Sequence, residues 1–259
     1  MDNTNSQAPQ LVVYGDFADP WSYLASQRID ALQEAGLDIA WRAIERHPRT
    51  PVKGRRLDAQ TRAEAARVLE EVRAQCGPDE FVPVDPPDLV PKTEAAVSAH
   101  AEAVGAGVAD QVRRRLFAAY WEDGVNIGDP EVLRTLLAGD FIRGHATSDP
   151  VRRFGYAVAM TRAPITTAAW RRIKQSRERW SSLHQAELPT VVEGGVASSG
   201  QRACEYLGVR VARHRRSPAA PSWLVARDIR VPVGAVHPPA TWLTQVGDPW
   251  QRESRLSSA

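Results

Sequence analysis

Two short segments hold residue types on which chemistry can be built. The first is Asp19-Pro20-Trp21-Ser22-Tyr23, an acid and two hydroxyl groups within five positions. It lies where a β-prone run, Leu11-Val12-Val13-Tyr14, meets Trp21, Leu24, Ala25, Ile29 and Leu32 at helical spacing, so it occupies a strand-to-helix turn. Free backbone N–H groups and the helix dipole favour an anion at such a turn. Asp is also a preferred N-cap and Pro a preferred first helical residue, so these two positions alone account for a helix start. The second segment is Leu188-Pro189-Thr190, with a proline at the head of a predicted strand. Elsewhere the signals are weaker. His47, His100, His145, His184, His214 and His237 show no metal-ligand spacing. Cys76 and Cys204 stand more than a hundred residues apart and form no Cys-x-x-Cys pair, which excludes a thiolate zinc site and a local dithiol. Gly105-Ala106-Gly107 and Gly194-Gly195 lack the context of a phosphate loop, and Ser198-Ser199-Gly200 is no nucleophile elbow. Asp123 and Asn126 are placed to line a cleft, though solvated loop positions explain them as well.

The elements that must position these groups follow from periodicity. After the first strand, the helix stops at Gly36, and Leu37-Asp38-Ile39-Ala40-Trp41 alternates as a second strand, closing a βαβ unit. Helical patterns then fill 59–75, 92–104, 108–121, 130–138, 149–161 and 167–180, with no strand signal between them. Leu188–Glu193, the Gly194-Gly195 turn and Val196-Ala197-Ser198 read as a hairpin, followed by a short helix over 201–207. The order βαβ, helical block, ββα describes an α/β domain over 9–50 and 185–210 split by an all-α insertion over 51–184. Residues 211–259 change character, with six prolines and Trp223, Trp242 and Trp250. Such a tail is expected to wrap over the body or over a second subunit, making a homodimer an expectation.

Across 259 residues, 33 Lys+Arg oppose 31 Asp+Glu, and acids and bases interleave. That balance gives no single-sign field for a nucleic-acid or membrane partner. Only Lys53, Lys92 and Lys174 are lysines, an arginine bias that scattered positions and neighbouring acids assign to codon composition. Met1–Gln7 has neither a basic n-region nor an apolar h-region, and no apolar run approaches the roughly 18–20 residues of a spanning helix, so a cytoplasmic protein is expected.

Taken together, the two chemical segments are similar to a known family. Asp16-Phe17-Ala18-Asp19-Pro20-Trp21-Ser22-Tyr23-Leu24-Ala25 resembles the active-site segment of the DsbA-like branch of the thioredoxin superfamily, which carries Cys-Pro-Trp-Cys-Tyr or, in some members, Ser-Pro-Tyr-Ser-Tyr-Leu. The second form is that of 2-hydroxychromene-2-carboxylate isomerases and kappa-class glutathione transferases. Leu188-Pro189-Thr190 resembles the family's cis-proline loop, and Ser199-Gly200-Gln201 the start of its last helix. Leu116–Leu133, with Phe117, Ala119, Gly124, Asn126, Ile127 and Asp129, is similar to a further family stretch, and Pro91-Lys92-Thr93 to an Asn-Thr segment with Lys in place of Asn. The resemblance covers about residues 10–208 and implies a thioredoxin-like fold split by a helical insertion.

The departures bear most on function. Asp19 and Ser22 occupy the positions of the two redox cysteines, and neither a carboxylate nor a hydroxyl can exchange disulfides. In the isomerases and transferases a serine at the first position hydrogen-bonds the sulfur of glutathione; an ionised Asp19 would repel a thiolate, and the helix terminus is expected to keep it ionised and a weak base. Ser22 or Tyr23 is then the better contact for a thiol, whether glutathione or another low-molecular-weight one. The resemblance thus implies a thiol-dependent isomerase or transferase-like enzyme acting on a small molecule between core and insertion, without metal. Asp19, Ser22 and Tyr23 would carry the chemistry, and Trp21, Leu188, Pro189, Thr190, Ser199 and Gly200 would bind. The alternative is a non-catalytic thioredoxin-fold protein whose cis-proline groove holds a peptide or small molecule.

Overall fold

The computed structural model describes residues 11–185 and 187–216. Residues 217–259, which include the three tryptophans of the expected tail, lie outside the described residues.

β1 (Leu11–Gly15) leads through a short turn into α1 (Pro20–Glu34). Leu24, Ala25, Ile29 and Leu32 give α1 one fully buried face, and Gly36, at φ 89°, turns the chain where a side chain would be strained. β2 (Ile39–Ala43) pairs parallel with β1 from Leu11 opposite Ile39 to Gly15 opposite Ala43. It begins two residues later than the alternation suggested. Leu37, Ile39, Trp41 and Ala43 all face the core, so the side-chain pattern is unchanged and the ladder alone sets the start.

The insertion follows. β3 (Arg55–Arg56), α2 (Ala59–Arg73), β4 (Leu89–Val90), α3 (Glu94–Ala106), α4 (Ala109–Trp121), α5 (Pro130–Arg143), α6 (Asp149–Phe154) and α7 (Thr167–Ser182) succeed one another. It is not wholly helical, because β3 and β4 form a two-residue antiparallel ladder too short to leave a period-2 signal. α5 runs past Gly139, since Leu133, Leu137 and Phe141 continue one fully buried stripe. α6 stops early at Gly155, a left-handed cap whose added Cβ would lie 2.7 Å from the Ala138 backbone.

The chain then returns as β5 (Thr190–Glu193), β6 (Val196–Ser199) and α8 (Gly200–Arg216). β5 pairs antiparallel with both β1 and β6, giving a four-stranded mixed sheet in the order β2-β1-β5-β6. α8 does not end near 207. Ala203, Cys204, Leu207 and Val211 keep one face buried, so the helix extends through the basic run that the sequence assigned to the tail.

Sheet and insertion share one hydrophobic core. At the seam, Phe17 and Trp41 from the sheet side meet Phe117 of α4, with ring centroids 5.1–6.3 Å apart. Two buried arginines pin α1. Arg28 donates to Glu80, the Gln75 carbonyl and the Cys204 carbonyl, while Arg113 of α4 reaches the Ser26 carbonyl and Asp30. The β1–α1 turn is therefore fixed on the sheet side, by the insertion and by α8. Among the described residues no helix is long and apolar enough to cross a membrane.

Candidate functional site

The site is built at the exit of β1. Gly15 must lack a side chain, since a Cβ there would lie 2.2 Å from the Trp41 ring and 3.0 Å from the Ser22 hydroxyl. Asp16 follows, almost wholly buried, and its carboxyl ties three segments together. One oxygen accepts from the Ala18 N–H at 2.9 Å; the other accepts from the Arg46 N–H at 2.7 Å, after β2, and from the Thr93 hydroxyl at 3.1 Å, at the head of α3. Its own N–H donates to Ser22 Oγ at 3.3 Å. These contacts hold the turn closed over a polar centre.

Asp19 is the N-cap of α1, with extended backbone (φ −98°, ψ 123°) and Pro20 in the first turn. Its Oδ2 accepts from the Ser22 N–H at 2.8 Å and from the Ser22 hydroxyl at 2.6 Å. Its Oδ1 faces the Arg46 guanidinium at 3.7 Å. Asp19 is 9% exposed and Ser22 0%. Burial pushes the Asp19 carboxyl up to about 7, outweighing the hydrogen bonds from Ser22 and the Arg46 charge, and nearby Asp16 adds to the rise. This differs from the expectation that the helix terminus keeps Asp19 fully ionised: burial of the carboxyl outweighs the cap, and it is about half protonated near pH 7. Asp16 is raised by burial as well, against the pull of its three donors. A buried acid poised near neutrality, held on one oxygen by a serine, can accept or return a proton at the other.

The other predicted residues divide. Tyr23 does not join the site. Its ring stacks on Trp121 at 5.9 Å and 8°, its hydroxyl donates to Glu122 at 2.8 Å on the insertion, and burial together with that carboxylate pushes its ionisation well above the ordinary range. It packs at the seam, with its hydroxyl hydrogen committed to Glu122. Trp21 is half-buried and offers its carbonyl to the Cys204 thiol at 3.2 Å. Leu188, Pro189 and Thr190 are buried, and the Leu188–Pro189 peptide is cis. Tyr14 pairs with Thr190, so the register carries Pro189 to the level of Gly15, beside the turn. The Thr190 side chain is spent internally, donating to the Glu187 carbonyl and accepting from Trp180 Nε1. Ser199 donates to Gln185, and the Gly200 N–H donates to the Pro189 carbonyl at 2.9 Å, so this pair braces the loop from behind.

Three residues of the site went unassigned in the sequence. Asp16 and Thr93 both fall inside the family-like segments and could have been drawn from them, whereas Arg46 has no local signal. The cysteines take no part: Cys204 is fully buried, Cys76 half-buried, and burial raises both thiols. Among the described residues no group of three or more His, Cys, Asp or Glu side chains is placed to hold a metal ion.

This fold is thioredoxin-like, with Asp19 and Ser22 at the turn between its first strand and first helix. The profile of the family described as DSBA-like thioredoxin domain matches residues 10–139, half of the chain, and the protein belongs to that family. Solved structures agree on the fold. A probable DsbA oxidoreductase from Streptomyces coelicolor is 16% identical with a TM-score of 0.59, covering 81% of this chain and 91% of its own. A 2-hydroxychromene-2-carboxylate isomerase is 20% identical with a TM-score of 0.53, over 80% and 96%. The cytosolic disulfide reductase DsbM from Pseudomonas aeruginosa, with GSH, is 16% identical with a TM-score of 0.51, over 80% and 98%. No curated protein sequence matches the chain.

Proposed function

We propose that the protein is a cytoplasmic enzyme of the isomerase or transferase type, acting on a small molecule at the β1–α1 turn. In this reading Asp19 is the proton-exchanging group and Ser22 its positioning partner. The observation that carries the proposal is the 2.6 Å hydrogen bond from the Ser22 hydroxyl to Asp19 Oδ2, inside a buried site that holds the acid near neutrality. Such a pair suits proton transfer near neutral pH, since a general base works best with a pKa near the working pH.

The residues also fit a low-molecular-weight thiol such as glutathione, in a different way from the serine-containing relatives. Ser22 gives its hydrogen to Asp19 and Tyr23 gives its own to Glu122, so neither hydroxyl is free to donate to sulfur. Asp19, neutral below about pH 7, does not repel a thiolate there and can donate to it from Oδ1. When bound, the thiol supplies a polarisable sulfur nucleophile. The chain's part is to hold or release one proton at Asp19 Oδ1 and to present the Leu188–Thr190 segment to an extended ligand.

A second reading, a non-catalytic ligand-binding protein, is favoured by the complete burial of Ser22. Calorimetric titration of the full chain with glutathione, cysteine and coenzyme A separates the two. The enzyme reading expects saturable thiol binding whose pH dependence about pH 7 is lost in Asp19→Asn. Absence of binding by any of the three at millimolar concentration would remove the thiol and favour the second reading.

A further inference from the structure

A cavity of 260 Å³ opens between α3, α7 and the loop after β2. Its polar side is built around Glu45, whose carboxylate is 7% exposed. Lys92 Nζ lies 3.1 Å from one Glu45 oxygen and Arg177 Nη2 lies 3.6 Å from the other. Lys92 is further held by the Pro48 carbonyl at 2.7 Å. Two cations thus share one buried carboxylate, and the contact of Arg177 is beyond hydrogen-bonding distance. The Arg177 side chain is 54% exposed, so its planar N–H fork remains available. The facing wall is apolar, with Pro164, Ile173 and Trp170; Trp170 is 56% exposed despite its size.

We propose that this cavity binds a compact monocarboxylate with an apolar body. The carboxylate would take paired N–H donors from Arg177 while Lys92 keeps its bond to Glu45, and the body would cover Trp170 and Ile173. An ammonium ligand is disfavoured because Glu45 already faces two cations. A phosphate or dicarboxylate is disfavoured because Glu94, 3.8 Å from Lys92 and 44% exposed, stands at the same cavity and repels further negative charge. The volume is below the usual range of about 300–1,000 Å³ for drug-sized ligands, so the ligand is small.

The location gives the cavity a bearing on the turn described above. Glu45 lines the cavity while its neighbour Arg46 holds Asp16 and faces Asp19; Lys92 lines it while its neighbour Thr93 holds Asp16. A ligand would sit one residue along the chain, on two separate segments, from the groups that fix the carboxyl pair. The inference does not require Asp19 to perform chemistry.

The test uses the full chain with phenylacetate and hexanoate as probes and their amides as neutral controls, read by calorimetry and tryptophan fluorescence. Saturable binding of an acid, at least about tenfold tighter than its amide and weakened at least about tenfold in Arg177→Gln, is expected for a charge-assisted bidentate contact. Trp170→Leu should abolish the fluorescence change while the calorimetric signal persists in weakened form. Asp19→Asn should bind as the wild type does, which keeps this site separable from the proposed reaction. Failure of both acids to bind below about 10 mM, equal binding of acid and amide, or unchanged affinity in Arg177→Gln would overturn the proposal. Circular dichroism of Arg177→Gln, altered at an exposed side chain, verifies that lost binding is not lost fold.

Discussion

Replacing Asp19 by Asn should make the protein less sensitive to pH, and the size of the effect follows from the burial of one carboxyl. Asp19 titrates at about 7 in the folded protein against 3.8 for a free side chain. Between those values the folded state binds a proton that the unfolded state has lost, so stability falls as pH rises, by ~1.4 kcal/mol per unit. From about pH 5 to pH 7 this amounts to about 2 kcal/mol, because the slope halves at the folded-state midpoint, and above 7 the loss levels off. Asn keeps an acceptor oxygen for the Ser22 N–H and hydroxyl, and it ranks with Asp as an N-cap, but it cannot ionise. Asp16 is present in both proteins, and its own titration largely cancels in the comparison. Urea unfolding followed by circular dichroism at several pH values should therefore show an advantage for Asp19→Asn that grows by about 2 kcal/mol between pH 5 and pH 7 and levels off by about pH 8. A variant that becomes less stable than wild type as pH rises would refute the reasoning, because it would mean that Asp19 is ionised and stabilising as an ordinary charged cap.

Three further outcomes follow from the same geometry. Asp16→Ala leaves the Ala18 and Arg46 N–H groups and the Thr93 hydroxyl without their acceptor in a buried turn, and should cost about 3–5 kcal/mol by urea unfolding, with Asp16→Asn recovering part of it. Tyr23→Phe removes one hydrogen bond to an exposed glutamate and should cost no more than about 1 kcal/mol in thermal unfolding, with thiol affinity unchanged within twofold; a larger loss of affinity would return Tyr23 to the site. Joint replacement Asp19→Cys and Ser22→Cys should give measurable insulin reduction, since a thiol at a helix N-terminus has a lowered pKa; a well-folded but inert double variant would place the site elsewhere.

What was legible in the sequence was mostly local. The N-cap, the following proline and the serine three positions on are a short-range pattern, and the structure joins them with the hydrogen bonds that such spacing permits. The family-like segments brought the hairpin and the turn to one end of the sheet, where the β1–β5 register puts them. The ionisation of Asp19 was not legible, because it depends on water excluded by segments far along the chain, and the turn is closed partly by Arg46 and Thr93. The contacts of Tyr23 were not legible for a related reason: its neighbours in sequence are Ser22 and Leu24, but its partners Trp121 and Glu122 are about a hundred positions away. Helix ends erred where a glycine or a basic run hid a continuing apolar stripe, as in α5 past Gly139 and α8 past Leu207.

The most direct test of an oxygen-based proton site at the β1–α1 turn is the titration of the Asp19 carboxyl itself, by carbon-detected NMR with Asp19→Asn identifying its resonance. A midpoint near 7 is expected. A midpoint at or below the ordinary aspartate value would contradict it and leave Asp19 as a helix cap alone.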